Sequence, residues 1–220
     1  MNLFETLDET YGNVLELFGG SCSFSNVAKE LGFATFTTDW TEYENIDYAT
    51  DILEFSVNQV PFKPDIIWAS PPCQCFSIAV CSHNWTTDGK PKLKSTMLGL
   101  AYMDKAVEII AHFKPKYWFI ENPRGMMRQK IWESFRRHGI AGIRNTVTYC
   151  QYGDTRMKPT DIFTNCYEWK PRPMCSPCDP CHERSPRGDK SGGTQGMNDA
   201  YDRSIVPFDL CLEILNCLHL

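Results

Sequence analysis

One turn in this 220-residue chain carries residues well suited to chemistry, the segment 69–77, which reads Ala-Ser-Pro-Pro-Cys-Gln-Cys-Phe-Ser. It follows the apolar run 65–68, which predicts a buried strand, and ligands collect at the carboxyl ends of strands in open α/β sheets. A cysteine in this proline-braced turn, Cys73, is a candidate covalent nucleophile if its thiol pKa is lowered. The same pattern fits a plain turn with an inert cysteine, and the segment alone leaves both alternatives open.

Three loops that follow successive predicted strands carry side chains suited to a nucleoside. The turn Gly19-Gly20-Ser21, after Phe18, lets a ligand approach the backbone beside a helix N-terminus. Asp39 stands where an acid hydrogen-bonds ribose hydroxyls in nucleoside-binding folds, and Trp40 beside it is suited to stack on an adenine. A third acid, Asp51, ends the next segment. No lysine follows the glycines as in a phosphate-binding loop. The set therefore predicts an adenosine-bearing cofactor, a description that S-adenosylmethionine fits.

A second turn, Glu121-Asn122-Pro123, follows the predicted strand 116–120. Together with the turns above, it gives an order of motifs that can be compared with known families. In chain order the motifs are Glu16-Leu17-Phe18-x-Gly20, Asp39-Trp40, Asp51-Ile52, Pro72-Cys73-Gln74-x-Phe76-Ser77 and Glu121-Asn122. This order resembles the DNA cytosine-5 methyltransferases, whose hallmark turn is Pro-Cys-Gln followed by a variable residue, Phe and Ser. Their acidic motif is Glu-Asn-Val, where this chain has Glu-Asn-Pro. The resemblance covers residues 13–165 and resumes near 203–207.

The resemblance implies a function and a role for each matched residue. The family moves a methyl group from S-adenosylmethionine to carbon 5 of cytosine in DNA, after the base leaves the stack. Cys73 would attack ring carbon 6, Glu121 would hydrogen-bond or protonate N3, and Asn122 would help to fix Glu121. The resemblance also assigns Ile52, Pro72, Ser204 and Val206 to the cofactor site, and Gln74 and Ser77 to the substrate site.

Three positions near this predicted site depart from the family pattern. Arg156, as a catalytic group, and Lys158, as a substrate contact, lie where the family has a basic Gln-x-Arg-x-Arg motif that steadies the flipped base and the phosphates. The motif is not reproduced here, so a surface loop stays an alternative. Cys75 stands where the family usually has a small residue, and we interpret it as structural.

The segment 170–202 is the largest departure, since it stands in place of a separate target-recognition domain. It is rich in Pro, Gly, Cys and charge and shows little periodicity. We predict a catalytic, cofactor-binding part over 1–169, a reduced target-recognition segment over 170–202, and a C-terminal helix over 203–220 that returns to the first part. Arg187 and Gln195 suit phosphate and base contacts. Such a short segment favours a short or degenerate target site, an accessory specificity partner, or another cytosine-containing substrate.

Four soft metal ligands lie close together in the same segment: Cys175, Cys178, Cys181 and His182. This set predicts a zinc site, although the spacing is tighter than in a usual zinc finger and no second Cys-x-x-Cys is present. The alternative is a loop of reduced cysteines. The chain has eleven cysteines and no secretory signal, so we expect them to be reduced, metal-bound or catalytic rather than paired in disulfides.

The elements that must position these motifs alternate along the chain. Apolar runs predict strands at 14–18, 35–38, 45–49, 65–69, 116–120, 145–149 and 161–164, and helical spacing predicts helices at 24–31, 97–113, 131–137 and 207–218. This alternation indicates a doubly wound α/β fold with a mostly parallel sheet. With the resemblance, the fold class becomes that of the Rossmann-like S-adenosylmethionine-dependent methyltransferases, with a small irregular C-terminal insert.

Composition sets the expected partners and compartment. The net charge of −5 is unusual for a nucleic-acid binder, but basic residues in several loops would give a basic cleft if those loops meet on one face. We expect DNA as the partner, in double-stranded form, and a monomeric enzyme. No apolar run is long enough for a bilayer, and no signal peptide is apparent, so we expect a cytoplasmic protein of a bacterial or phage-infected cell.

Three other functions compete with DNA methylation. A related enzyme acting on RNA, as one family branch does on transfer RNA, stays open. A catalytically idle, cofactor-binding nucleic-acid module is a second alternative, against which the intact Cys73 and Glu121 argue. An amino-methylating enzyme with a Ser-Pro-Pro-aromatic turn is disfavoured, because Cys73 stands where the aromatic residue would be.

Overall fold

A single mixed sheet organises the chain. The structure, a computed structural model, describes residues 11–78, 81–183 and 199–220. Seven strands are found in these ranges: β1 Asn13–Leu17, β2 Ala34–Asp39, β3 Tyr48–Ala49, β4 Ile66–Ala69, β5 Tyr117–Pro123, β6 Ile143–Thr148 and β7 Pro159–Thr164. Their order across the sheet is β3-β2-β1-β4-β5-β7-β6.

The order of the strands reverses at β1, which lies between β2 and β4. The first five strands pair in parallel, and β7 is antiparallel to both of its neighbours, β5 and β6. Leu17 pairs with Thr38 on one side and Ala69 on the other, and Ala69 pairs with Ile120. The loops that follow these four residues therefore leave the sheet at one level, along its carboxyl edge. This arrangement confirms the predicted doubly wound, mostly parallel sheet.

Helices cover both faces of the sheet, and two apolar cores result. The helices are α1 Ser23–Glu30, α2 Cys81–Asn84, α3 Lys94–Phe113, α4 Met127–His138, α5 Ala200–Ser204 and α6 Phe208–Asn216. One core joins α3 and α4 to the sheet, and the other joins α1 and α6 to the opposite face. Neighbouring residues of one strand enter different cores, as Val14 and Leu15 do, which explains why these strands read as continuous apolar runs.

Element boundaries differ from the sequence prediction where side chains compete for backbone groups. The strand predicted at 45–49 is reduced to Tyr48–Ala49. Asp47 explains the loss, because its carboxylate accepts hydrogen bonds from the Thr37 amide and hydroxyl, both at 2.8 Å, and holds the preceding residues in a turn. Three helices begin earlier than predicted, by one residue at Ser23, three at Lys94 and four at Met127, and no side-chain cap fixes these starts.

Among the described residues, no helix combines the length and apolar character that a bilayer crossing needs.

Candidate active site

The Pro-Cys-Gln turn begins directly after β4, at the carboxyl edge of the sheet. The carbonyl of Cys73 accepts the amides of Phe76 (2.9 Å) and Ser77 (3.0 Å), which closes the turn around the thiol. The turn is braced from the next loop, where Ser77 forms a bridge with Gly125 and the Met126 amide donates to the Phe76 carbonyl at 2.8 Å. A β-carbon at Gly125 would lie 2.0 Å from the Phe76 carbonyl oxygen, so only glycine permits this contact.

Cys75 points away from the cavity and is buried in the protein interior. Its carbonyl accepts the Trp85 indole N–H at 2.7 Å and the Asn84 amide at 3.4 Å. Its Sγ lies against α3 at Gly99, where an added β-carbon would be only 2.1 Å from the sulfur. The side chain of Cys75 is therefore a packing element between the turn and α3. This packing supports the structural interpretation of Cys75.

Glu121 projects from β5, the strand next to β4. Its Oε1 accepts the hydroxyl of Tyr149 at 2.9 Å, and the ammonium of Lys158 lies 3.8 Å from the same oxygen. Asn122 donates from Nδ2 to the Pro71 carbonyl at 2.8 Å, which ties β5 to the backbone of the Pro-Cys-Gln turn. Glu121 and the cysteine turn are thus held close together because β4 and β5 are neighbours and because the Asn122 side chain bonds to the turn.

The electrostatics of this pair disfavour a free thiolate. Burial, and next the nearby Glu121 carboxylate, raise the pKa of the Cys73 thiol, whereas the positive charges of Lys158 and Arg203 act in the opposite direction. Burial and Glu121 also raise the pKa of Tyr149 well above its usual value, so its hydroxyl remains a hydrogen-bond donor to the acid. Cys73 becomes a good nucleophile only when positive charge nearby outweighs these effects.

One cavity of about 430 Å³ collects most of the predicted site. Eleven predicted residues line it: Phe18, Ser21, Pro72, Cys73, Gln74, Ser77, Glu121, Arg156, Lys158, Ser204 and Val206. Polar groups therefore converge with apolar walls in one concave site, which is the arrangement typical of a small-molecule or cofactor pocket. Asn122 is buried behind the wall.

The remaining predicted cofactor residues lie at the same carboxyl edge of the sheet, next to β2 and β3. The Asp39 carboxylate accepts the Gly20 amide at 3.0 Å and the Thr41 amide at 2.9 Å, and the Asp39 carbonyl accepts the Thr50 amide at 2.8 Å. These bonds join the loops after β1, β2 and β3, as the strand order requires. Trp40 is 83% exposed, so its indole is open for stacking.

Asp51 and Ile52 begin a short 3-10 turn on the same edge. Asp51 accepts the Leu53 amide at 2.9 Å and so caps the turn, while Ile52 is buried in the core shared with α3. Both residues thus have structural roles in addition to the predicted cofactor role.

Arg156 lies in the cavity wall, but its guanidinium has local partners. It pairs with Asp154, with Nε to Oδ1 at 2.9 Å, and its terminal nitrogens reach the carbonyls of Asp202 (3.5 Å) and Ile205 (3.4 Å). Arg156 therefore fixes the segment before α6 over the cavity. Lys158 donates to the Arg203 carbonyl at 3.1 Å and lies 4.6 Å from the centre of the Tyr149 ring. Its ammonium faces Glu121, which the sequence alone did not indicate.

The C-terminal segment closes the cavity from the side of the glycine turn. The Val206 amide donates to the Ser23 hydroxyl at 3.1 Å, and Val206 is buried. A β-carbon at Gly20 would meet the Ser204 hydroxyl at 3.4 Å, and Gly20 has a φ of +50°. Two stretches of chain nearly two hundred residues apart thus form one end of the site.

A sequence model of the family described as C-5 cytosine-specific DNA methylase matches residues 12–138, which is more than half of the chain. The chain belongs to this family. It is 31% identical over 186 residues to a protein of Frog virus 3 (isolate Goorha) named "Probable DNA (cytosine-5)-methyltransferase", covering 79% of this chain and 80% of that one. It is also 32% identical over 112 residues to Type II methyltransferase M.HpaII of Haemophilus parainfluenzae, covering 51% of this chain and 28% of that one.

Solved structures share the fold of this methylase at low identity. A DNA modification methyltransferase encoded within a prophage (E. coli) superposes with a TM-score of 0.52 at 16% identity, over 69% of this chain and 45% of that one. The Entamoeba histolytica methyltransferase EhMeth superposes with a TM-score of 0.50 at 14% identity, over 74% of this chain and 56% of that one. The chain thus spans about half the length of these solved structures, and they support the fold class of S-adenosylmethionine-dependent methyltransferases.

Three residues that matter in this methylase site were absent from the predicted set: Glu16, Tyr149 and Arg203. Glu16 is 2% exposed, lines the cavity, and accepts the Ser25 amide at 2.7 Å. Burial raises its pKa to about 7. Two signals for Glu16 were available, since it is a charged residue inside the apolar run 14–18 and the first residue of the matched motif Glu16-Leu17-Phe18-x-Gly20. Tyr149 comes close to Glu121 only through the antiparallel pairing of β7, so the sequence held no signal for it.

The predicted metal ligands come together only in part. Cys175, Cys181 and His182 lie in one cluster with Cys150, and the four ligand atoms are all within 4.8 Å of one another. Cys178 is exposed and lies outside this cluster. The sequence did not indicate Cys150 as a ligand, because it lies 25 residues before Cys175, on the turn that follows β6. Arg187 and Gln195 lie outside the described residues.

Proposed function

We propose that this chain transfers a methyl group from S-adenosylmethionine to carbon 5 of cytosine in DNA, through a covalent adduct with Cys73. The observation that carries the proposal is the convergence of Cys73, Glu121 and Lys158 on one cavity at the carboxyl edge of the sheet. These are a nucleophile, an acid and a cation, which the addition of a thiol to a pyrimidine ring requires. Family membership supports the same reaction.

The residues of the cavity fit the proposed methyl donor. Glu16 offers a buried carboxyl group, which suits a cationic ligand, and Phe18 and Val206 supply apolar walls. The joined loops of Asp39 and Asp51, with the exposed Trp40, suit an adenosine. When bound, S-adenosylmethionine would supply an electrophilic methyl group, its sulfur leaving as a neutral thioether.

The chain's own groups account for the other parts of the reaction. The Cys73 thiol loses its proton to solvent, and the thiolate forms a bond to ring carbon 6. Electron density moves to carbon 5 as Glu121, protonated from solvent, donates a proton to N3. After carbon 5 has taken the methyl group, its proton passes to a water molecule, the N3 proton returns to Glu121, and departure of the Cys73 thiolate restores the ring. Tyr149 and Asn122 position Glu121 and the cysteine turn, and they do not contact the base in this scheme.

DNA is the proposed substrate in spite of the acidic composition. Arg156, Lys158 and Arg203 line the cavity beside two acids, Glu16 and Glu121, so basic groups outnumber acidic ones where a flipped nucleotide would enter. Arg187 and Gln195 are proposed as further contacts to phosphate and base. We propose a monomer with three functional parts, 1–169, 170–202 and 203–220, acting in the cytoplasm of a bacterial or phage-infected cell. The small insert favours an accessory partner or a degenerate target site.

Transfer of a labelled methyl group tests the proposal directly. The purified chain is incubated with methyl-labelled S-adenosylmethionine and equal amounts of duplex DNA, single-stranded DNA or transfer RNA. We expect label in duplex DNA as 5-methylcytosine, loss of label with Cys73→Ser, and retention with Cys75→Ser. Preferential labelling of transfer RNA would assign RNA as the substrate and overturn the DNA proposal. Unchanged transfer by Cys73→Ser would refute the covalent mechanism.

A further inference from the structure

The geometry points to a zinc site formed by Cys150, Cys175, Cys181 and His182, separate from the methyl-transfer cavity. The sulfur of Cys150 lies 3.0 Å from that of Cys175 and 3.6 Å from that of Cys181. His182 Nδ1 lies 3.7 Å from the Cys175 sulfur and 3.6 Å from the Cys181 sulfur. Three sulfurs and one imidazole nitrogen therefore surround a common centre.

These separations match the dimensions of tetrahedral zinc. Ligands about 2.3 Å (sulfur) and about 2.0 Å (nitrogen) from a tetrahedral ion lie about 3.5 to 3.8 Å from one another. Of the six separations among four ligand atoms, three of the four given above fall inside this range, and the other two pairs lie within 4.8 Å. Cys150 and Cys175 need to move apart by less than an ångström. Three thiolates and one histidine form a closed ligand set, which is characteristic of a structural rather than a catalytic zinc ion.

The surrounding contacts hold the four ligands in place. The Cys175 amide donates to the Thr148 hydroxyl at 3.0 Å, and the Gln151 side-chain amide donates to the Cys181 sulfur at 3.3 Å. The Glu183 amide donates to the Thr155 carbonyl at 2.9 Å, directly after His182. Cys150 and Cys175 are buried, and Cys181 and His182 close the outer side. Hydrogen bonds to ligands of this kind orient them toward the metal.

The ion would add a direct link between two parts of the chain that hydrogen bonds already bring together. Cys150 belongs to the turn after β6, and the other three ligands belong to the segment 175–182, in which no helix or strand is described. Tyr149, adjacent to Cys150, donates to Glu121. A zinc ion here would therefore anchor the short insert to the turn that positions the acid of the active site.

Metal content of matched variants tests the site. The full chain is purified under reducing conditions, loaded with Zn²⁺, dialysed and analysed for metal. We expect about one zinc per chain, unchanged by Cys178→Ala, and an affinity for Zn²⁺ lowered more than about tenfold by Cys150→Ala. Absence of retained zinc in the loaded wild-type protein would overturn the proposal. So would equal zinc loss in the Cys178→Ala and Cys150→Ala variants.

Cobalt spectroscopy keeps the test decisive if Cys150→Ala fails to fold. Replacement of zinc by Co²⁺ should give thiolate charge-transfer bands and the intense visible bands of a tetrahedral S₃N site. His182→Ala, at the outer side of the site, should shift the visible bands while the charge-transfer bands persist. A spectrum of octahedral Co²⁺, or one that His182→Ala leaves unchanged, would contradict the proposed ligand set. Neither readout depends on methyl-transfer activity.

Discussion

At the scale of single residues, the site combines the proposed nucleophile, Cys73, with surroundings that restrain it. Cys73 lies near Glu121, whose charge opposes thiolate formation, and Lys158 is the cation that partly compensates. Lys158 also contacts Glu121 and the ring of Tyr149, so it links the acid with its hydrogen-bond donor. The reactivity of Cys73 therefore depends on how far the positive charges of Lys158 and Arg203 offset burial and the Glu121 carboxylate.

Alkylation of Cys73 should show this balance as a shift in pH dependence. Burial and Glu121 raise the thiol pKa, so the midpoint of alkylation should lie above that of an ordinary cysteine. Glu121→Gln removes a negative charge and should move the midpoint to lower pH, whereas Lys158→Met should move it to higher pH. Peptide mapping by mass spectrometry after timed iodoacetamide treatment measures Cys73 separately. Equal midpoints in all three proteins would contradict the proposed coupling.

Glu16 should make the folded state less stable as the pH rises. Its pKa in the folded protein is about 7, above the ordinary value of 4.5, so the folded state binds the proton more tightly than the unfolded state. This difference adds on the order of 3 kcal/mol to the free energy of unfolding. The contribution is complete below the pKa that Glu16 has in the unfolded chain, and it is lost as the pH rises through about 7. Glu16→Gln should remove this dependence in urea unfolding at pH 5 and pH 8.

An exposed acid serves as the matched control for this measurement. Glu133 lies on α4 with 72% of its side chain exposed, and Glu133→Gln should leave the difference between the two pH values unchanged. If Glu16→Gln behaves like Glu133→Gln, the buried acid does not carry the pH dependence.

At the scale of elements, parallel pairing aligns the loops and specific contacts lock them together. The alternation of apolar runs was sufficient to predict the strands, most of the helices and the carboxyl edge where Cys73, Asp39 and Glu121 lie. The antiparallel insertion of β7 between β5 and β6 depends on long-range pairing, which no local pattern encodes. For this reason Tyr149, the hydrogen-bond donor to Glu121, could not be predicted.

The contact between Cys75 and Gly99 should behave as a coupled pair. A β-carbon at Gly99 would overlap the Cys75 sulfur, so Gly99→Ala should destabilise the protein by about 1 to 3 kcal/mol through overpacking. Cys75→Ala removes the sulfur and should restore part of that loss in the double variant. Chemical denaturation of the four proteins of this cycle gives the coupling. Additive losses would show that the turn and α3 do not pack in this way.

At the scale of the whole molecule, the active site is formed by distant parts of one acidic chain. The family and eleven of the residues that line the cavity could be predicted from the sequence, because ordered motifs indicate them. The partners of Arg156 and the position of Cys150 could not be predicted from the sequence. Both depend on how the turns next to β6 and β7 pack against distant parts of the chain. The metal prediction consequently named Cys178, which stays exposed, in place of Cys150.

DNA binding should depend only modestly on salt. Three basic residues line the cavity while the net charge is −5, so the slope of log affinity against log salt should be about −3 or shallower. Arg203→Ala should reduce this slope by about one. Lys116→Ala, exposed at the opposite edge of the sheet, should leave it unchanged. Fluorescence anisotropy with one duplex over a range of salt concentrations measures the slopes. Equal slopes for the two variants would show that the DNA does not bind at the cavity lined by Arg203.

The bond that Cys73 is proposed to form to the cytosine ring can be trapped as a stable adduct. A fluorine at carbon 5 cannot leave as a proton does, so the enzyme should stay attached to duplex DNA containing 5-fluorocytosine when S-adenosylmethionine is present. We predict a denaturation-resistant complex whose cross-linked peptide contains Cys73, retained in Cys75→Ser and lost in Cys73→Ser. A complex attached through another residue, or none from protein that methylates the unmodified duplex, would contradict the account.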